Sequence, residues 1–174
     1  MLVGLVSIIT VAQVNGSRPK LVVGIVVDQL RTDYIESLES LFGEKGFKRL
    51  MKEGAYLRDV DFVVANPDAV NATAMIYTGN YPSKNGVVAS SIYNAEKHKS
   101  EASLNDPSSI GNFTTETYSP HNLMLSTISD EVKIDGAGLG AVYSIALDPQ
   151  QAIIMAGHAG NSAFWINDNT GKWS

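Results

Sequence analysis

The run KLVVGIVVD, Lys20 to Asp28, constrains the fold more than any other stretch of this chain. It is β-branched and apolar without alternation. Such a run suits a strand covered on both faces, as in a parallel sheet, rather than a strand with one face in water. It ends in an aspartate. In open α/β sheets, ligands gather beyond the carboxyl ends of the strands, so Asp28 falls where chemistry would be placed. The same residue could also do no more than cap the helix that follows.

The rest of the chain extends the pattern. TDYIESLESLF places Tyr34, Ile35, Leu38, Leu41 and Phe42 at helical spacing. GFKRLMKEG continues helical, with Gly54 as its stop. AYLRDVDFVVA, residues 55–65, reads as a second strand. Asp68 can cap a helix that runs to Thr78 and ends at Gly79. YPSKNG reads as a turn, and residues 94–117 as an irregular polar excursion with short strands. Ser119 and Pro120 carry the signature of a helix start. GLGAVYSIAL, residues 138–147, reads as another buried strand. A short helix near Gln150–Met155 and a strand at AFWIN follow. No internal repeat or linker divides the chain. Alternating strands and helices predict an α/β fold, a mostly parallel sheet layered with helices.

Composition excludes several classes of function. A net charge of −5 argues against a non-specific nucleic-acid binder. The absence of cysteine removes disulfides, thiolate zinc sites and a cysteine nucleophile. LVGLVSIITVA, Leu2 to Ala12, is too short to span a bilayer comfortably. With Val14 and Gly16 as cleavage-site residues it reads as a signal peptide over residues 1–16, although no Lys or Arg precedes it. The remaining 17–174 would then be an exported domain, periplasmic or extracellular, with no membrane attachment once the signal is removed.

Five blocks, in order, carry a resemblance: RPKLVVGIVVDQLRTDYI, GFKRLMKEGA, IYTGNYPSKNGV, YSPHNLMLSTISDEVK and AGHAGNSAFWINDNTGKW. Together they resemble the alkaline phosphatase superfamily, in the branch of the phosphate-irrepressible alkaline phosphatases and the type I phosphodiesterase/nucleotide pyrophosphatases. The resemblance covers only about the N-terminal third of such an enzyme. It implies an alkaline-phosphatase-like fold, incomplete over this length. It also implies a two-zinc phosphoesterase, in which a threonine at a helix N-terminus attacks phosphorus in line. Two cations would neutralise the entering and leaving oxygens, and the helix end would favour the anion. Asp28, in VVDQ, matches the first metal ligand. The remaining carboxylate and histidine ligands are expected beyond Ser174.

The resemblance also marks departures. Counting back without a gap from Thr78-Gly79 puts Ala69 at the family's threonine, Asn71 at its proline and Thr73 at its histidine. The phosphate-binding asparagine falls on Ser90, and the Lys and Arg of a later K-D-R run fall on Asp148 and Gln150. A methyl group thus stands where an attacking oxygen belongs, and a carboxylate stands where a cation belongs. Asp68 adds negative charge at the helix start. Thr73 is the nearest hydroxyl to the expected site, although a threonine inside a helix has a plain structural reading. Asp68 could be a substitute metal ligand or simply an N-cap.

Other residues invite blander readings. His98 and His121 read as surface residues, His158 as a structural residue in a loop, and Phe164, Trp165 and Trp173 as core. The Asn-X-Thr matches at Asn71 and Asn112 read as chance. The chain is therefore expected to be the N-terminal segment of an exported metal-dependent phosphoesterase, inactive on its own and without the family nucleophile. The alternative is a non-catalytic homologue that binds a phosphate ester, another small anionic ligand or a protein. A third reading is a truncated chain with no independent role.

Overall fold

The computed structural model describes residues 19–58 and 60–174. The apolar run Leu2–Ala12 and the predicted signal peptide lie outside the described residues.

Short helices occupy the first third: α1 over Thr32–Leu38, extended by a 3₁₀ turn to Leu41, and α2 over Phe47–Glu53. α2 stops where expected, at Gly54, whose N–H bonds to Leu50 O. α3 covers Ala69–Thr78 and α4 covers Pro82–Asn85. α3 has the predicted limits because both ends are capped. Asp68 accepts from Val70 N–H and Asn71 N–H, and Gly79 takes the left-handed conformation at φ 64°. YPSKNG folds as the one-turn helix α4 rather than a plain turn, with Pro82 in its first turn and Gly86 closing it at φ 85°.

β1 (Ser91–Asn94) and β2 (Lys99–Ala102) form an antiparallel hairpin. The expected helix from Ser119 is broken in two. Ser119 caps only a 3₁₀ turn over Pro120–Asn122, and the chain restarts as α5, Ile128–Asp135, under Thr127. Thr127 and Asp130 form a reciprocal capping box, a stronger start signal than Ser119 provides.

A β-α-β unit closes the chain. β3 (Tyr143–Ala146) runs parallel to β4 (Ser162–Asn167), joined by α6 (Pro149–Ala156); β5 (Lys172–Trp173) returns antiparallel to β4. The buried strand expected over residues 138–147 shrinks to β3, in which Ser144 faces inward and gives its hydroxyl to Ala152 O at 2.6 Å. The core lies between α3, α6 and the segments around Leu104 and Leu123. Val70, Ala74, Val87, Leu104, Leu123 and Ile154 meet there. Trp165 is buried as expected, with its indole N–H on Glu116, but Phe164 and Trp173 are exposed. Both stand at the sheet's surface, where alternation along β4 and the short β5 turn them outward.

The two strands expected at residues 20–28 and 55–65 belong to neither sheet among the described residues. The described residues of both segments are open chain. The first approaches α3 at Gly24, where the added carbon of any other residue would collide with the Tyr77 hydroxyl. An apolar run records how much cover a strand needs but not which segment supplies it, and a ladder requires a hydrogen-bonding neighbour.

Candidate functional site

The N-terminus of α3 converges with the chain at Ser90 and with α6. Helix starts leave backbone N–H groups without intrahelical partners, which makes them seats for anions. Here the seat is filled from within. Asp68 Oδ1 accepts from Val70 N–H at 3.0 Å and from Asn71 N–H at 2.8 Å. Its Oδ2 accepts from Ser90 N–H at 2.6 Å, across 22 residues of sequence. One carboxylate therefore gathers amides from two separate elements. Asn71 answers from the other side. Its Oδ1 accepts Asp68 N–H, and its amide donates to Asn66 O and Val88 O. The asparagine is fully enclosed and every polar hydrogen of its side chain is used.

The neighbouring positions are built in the same way. Ala69, the first residue of α3, offers only a methyl group. Thr73 is buried, gives its hydroxyl to Ala69 O at 2.7 Å and accepts from Gln151 Nε2 at 3.0 Å. Ser90 O accepts from Gln150 Nε2 at 2.9 Å and from Ser103 N–H at 3.1 Å, while Gln150 Oε1 accepts Leu104 N–H at 3.1 Å. Asp148 caps α6 through Gln151 N–H at 2.9 Å. The structure thus brings Ala69, Thr73, Ser90, Asp148 and Gln150 to one place, where α3 and α6 pack together. The Thr73 hydroxyl, the Gln150 side chain, the Ser90 backbone and Asp148 Oδ1 are spent on the fold. Beside Asn71 lies an open cleft of about 440 Å³, lined by Val63, Val64, Tyr81, Pro82 and Val88 among others.

Asp28 is exposed, in a turn that Gln29 completes at φ 58°. Among the described residues no three His, Cys, Asp or Glu side chains are grouped to hold a metal ion. The donor set therefore does not fit a two-metal centre within these residues.

A second cluster escaped the sequence reading. Buried Asp130 accepts from Thr127 N–H at 2.8 Å, from Ala159 N–H at 2.8 Å and from the Thr127 hydroxyl at 3.1 Å. His158 lies between Asp130, at 3.0 Å from Nδ1, and Leu123 O, at 2.8 Å from Nε2. Both neighbours are acceptors, so the ring satisfies both only when doubly protonated. Burial works against the charge, but the bonds to Asp130 and Leu123 O outweigh it and raise the His158 pKa above its usual value. Asp130 is the counterpart. Burial alone would raise its pKa, but bonds from His158, Thr127 and Ala159 bring it below the usual carboxylate value. The Thr-x-x-Asp pattern at 127–130 was readable as a helix start; the contribution of His158 was not, because it comes 28 residues later.

A family model described as "Type I phosphodiesterase / nucleotide pyrophosphatase" matches residues 22–172. The chain belongs to this family. It is 36% identical over 161 residues to alkaline phosphatase PafA of Elizabethkingia meningoseptica, which covers 90% of this chain and 29% of that protein. It is 32% identical over 160 residues to alkaline phosphatase PhoV of Synechococcus elongatus, again over 90% of this chain and 29% of the relative. The crystal structure of wild-type PafA superposes with a TM-score of 0.83 at 35% identity, over 90% of this chain and 31% of that one. A PafA variant with a threonine, an asparagine, a lysine and an arginine substituted superposes at 0.78, with 32% identity over 85% and 29%. The chain thus shares the alkaline phosphatase fold of this phosphodiesterase family and spans under a third of these relatives' length.

Proposed function

We propose that this chain is a portion of an exported, metal-dependent phosphoesterase fold that does not hydrolyse phosphate esters by itself. The observation that carries the reading is the Asp68 carboxylate held by Val70, Asn71 and Ser90 N–H, with Ala69 beside it. A phosphate ester entering there would have to displace a fixed negative charge and would meet a methyl group at Ala69, the position of the family's attacking threonine. Thr73 supplies no substitute, since its hydroxyl hydrogen is committed one turn inside the helix. The four residue types altered together in the PafA variant are those whose family positions fall here on Ala69, Ser90, Asp148 and Gln150. None of these four replacements carries positive charge.

Zinc, expected from the family, has no matching donor set among the described residues, and no step is assigned to it. Export rests on the Leu2–Ala12 run. Among the described residues, no helix is long and apolar enough to cross a membrane.

The test is turnover of an aryl phosphate and an aryl phosphodiester by the purified chain with zinc added. The expected result is no hydrolysis above that of zinc in buffer. Hydrolysis abolished by Thr73→Val, which keeps the side chain's shape, would overturn the reading.

A further inference from the structure

Residues Asn122 to Met124 form a strap laid against the end of α4. Met124 N–H donates to Asn85 O at 2.9 Å, and Asn122 Nδ2 donates to Ser103 O at 2.8 Å. The strap lies so close that a carbon added at Gly86 would come within 2.7 Å of Asn122 O and 2.8 Å of Met124 Cγ. Leu123, between them, is 2% exposed and belongs to the core cluster. His158, just beyond α6, reaches the strap's backbone: its Nε2 lies 2.8 Å from Leu123 O.

We propose that His158 is a proton-operated catch on this strap: doubly protonated, the ring holds Leu123 O and Asp130 together, and loss of one proton frees the strap from α4. A neutral ring has one N–H for two acceptors. The proton stays on Nδ1, because the Asp130 carboxylate is the stronger acceptor. Nε2 then turns a lone pair toward Leu123 O. That carbonyl loses its donor at a residue that water does not reach until the strap moves. Pro82 and Ser83 of α4 line the open cleft beside Asn71, so the catch couples that wall to pH. This goes beyond the closed seat at α3 and does not depend on it.

Asp130 is the charge that acts on the ring. Glu131, next to it on α5, is bonded to the Ser126 hydroxyl at 2.6 Å. His121, in the turn before the strap, is exposed, and its charge acts on Asp106. Neither α6 nor β4 carries an ionisable side chain. The catch is closed below the ordinary His value of 6.5 and opens as pH rises through the higher folded value.

The experiment is a pH titration of the isotope-labelled full chain by NMR, following the His158 ring and the backbone amides together. Amide shifts of Ser83, Asn85, Gly86 and Met124 should move with the ring's midpoint. The protection factor of Met124 against hydrogen exchange should fall on the order of tenfold as the ring loses its proton. It should also stay below that of the α3 amides at every pH, because the strap opens without the rest of the chain. In His158→Gln, which has no such proton to lose, the protection of Met124 should not change with pH. Strap and α4 amides that hold still through the ring's titration would overturn the proposal. So would a ring that keeps one charge from about pH 5 to about pH 9, a Met124 amide as protected as those of α3, or a pH response that survives His158→Gln. If that variant does not fold, the midpoints and protection factors of the parent chain decide alone.

Discussion

Asp68 does two jobs at once. It caps α3, and it ties the helix start to Ser90. Removing an N-cap acceptor costs about 1–2 kcal/mol, so Asp68→Ala should destabilise the chain by at least that much in urea titration. Asp68→Ser keeps a capping oxygen but cannot reach Ser90 as well. It should recover part of the loss and leave the Ser90 amide exchanging faster than in the parent chain. An Asp68→Ser protein as stable as the parent, with Ser90 still protected, would show that the second tie contributes nothing. The cap itself was legible, since Asp68 and Gly79 bracket the helix in the sequence. The tie to Ser90 was not, because local propensity carries no information about a residue 22 positions away.

At the scale of elements, α5 and the end of α6 are joined by one buried carboxylate. Gly157 makes the approach possible. It sits at φ 73° and ψ −167°, a region open essentially to glycine, and an added carbon would collide with Thr127 Oγ1 and lie 2.7 Å from Asp130 Oδ1. Gly157→Ala should cost about 1–3 kcal/mol from backbone strain, before the collision is counted.

The same cluster sets a pH dependence. The folded-state pKa of His158 is raised, so its stabilising effect is full below the ordinary value of 6.5 and is lost as pH climbs through the higher folded value. Asp130, with a lowered pKa, stabilises above its ordinary 3.8 and loses that effect as pH falls through the lower folded value. The urea midpoint should therefore be higher near pH 5.5 than near pH 8.5, and His158→Gln should flatten that difference. An unchanged slope in the variant would place the pH dependence elsewhere. These joins also explain why the helix expected from Ser119 divides. Leu123 must leave helical geometry for its carbonyl to meet His158, and the next helix begins only at the Thr127 cap.

Across the whole molecule, what the sequence made legible was local or periodic. The limits of α3, the stop of α2 at Gly54, the position of α6 and the parallel β3–β4 unit all followed from caps and spacing. Among the described residues, the segments at 20–28 and 55–65 join neither sheet, because strand formation depends on neighbours that a run of valines does not specify. The candidate site was legible as a set of positions, but the uses of those positions were not. Ser90, Gln150 and Thr73 look like remnants of a binding site in sequence, and in the fold they are hydrogen-bonded joints between α3, α6 and the chain before β1. At the start of α3 the chain's own carboxylate fills the seat.

The most direct measurement follows the amide resonances of Val70, Asn71 and Ser90 by NMR as inorganic phosphate is added to the isotope-labelled chain. With Asp68 already seated on these three groups, their shifts should stay fixed at phosphate concentrations on the order of 10 mM, beyond the uniform effect of ionic strength. Saturable shifts confined to those three amides would mean that the seat opens to an outside anion, and would contradict the account.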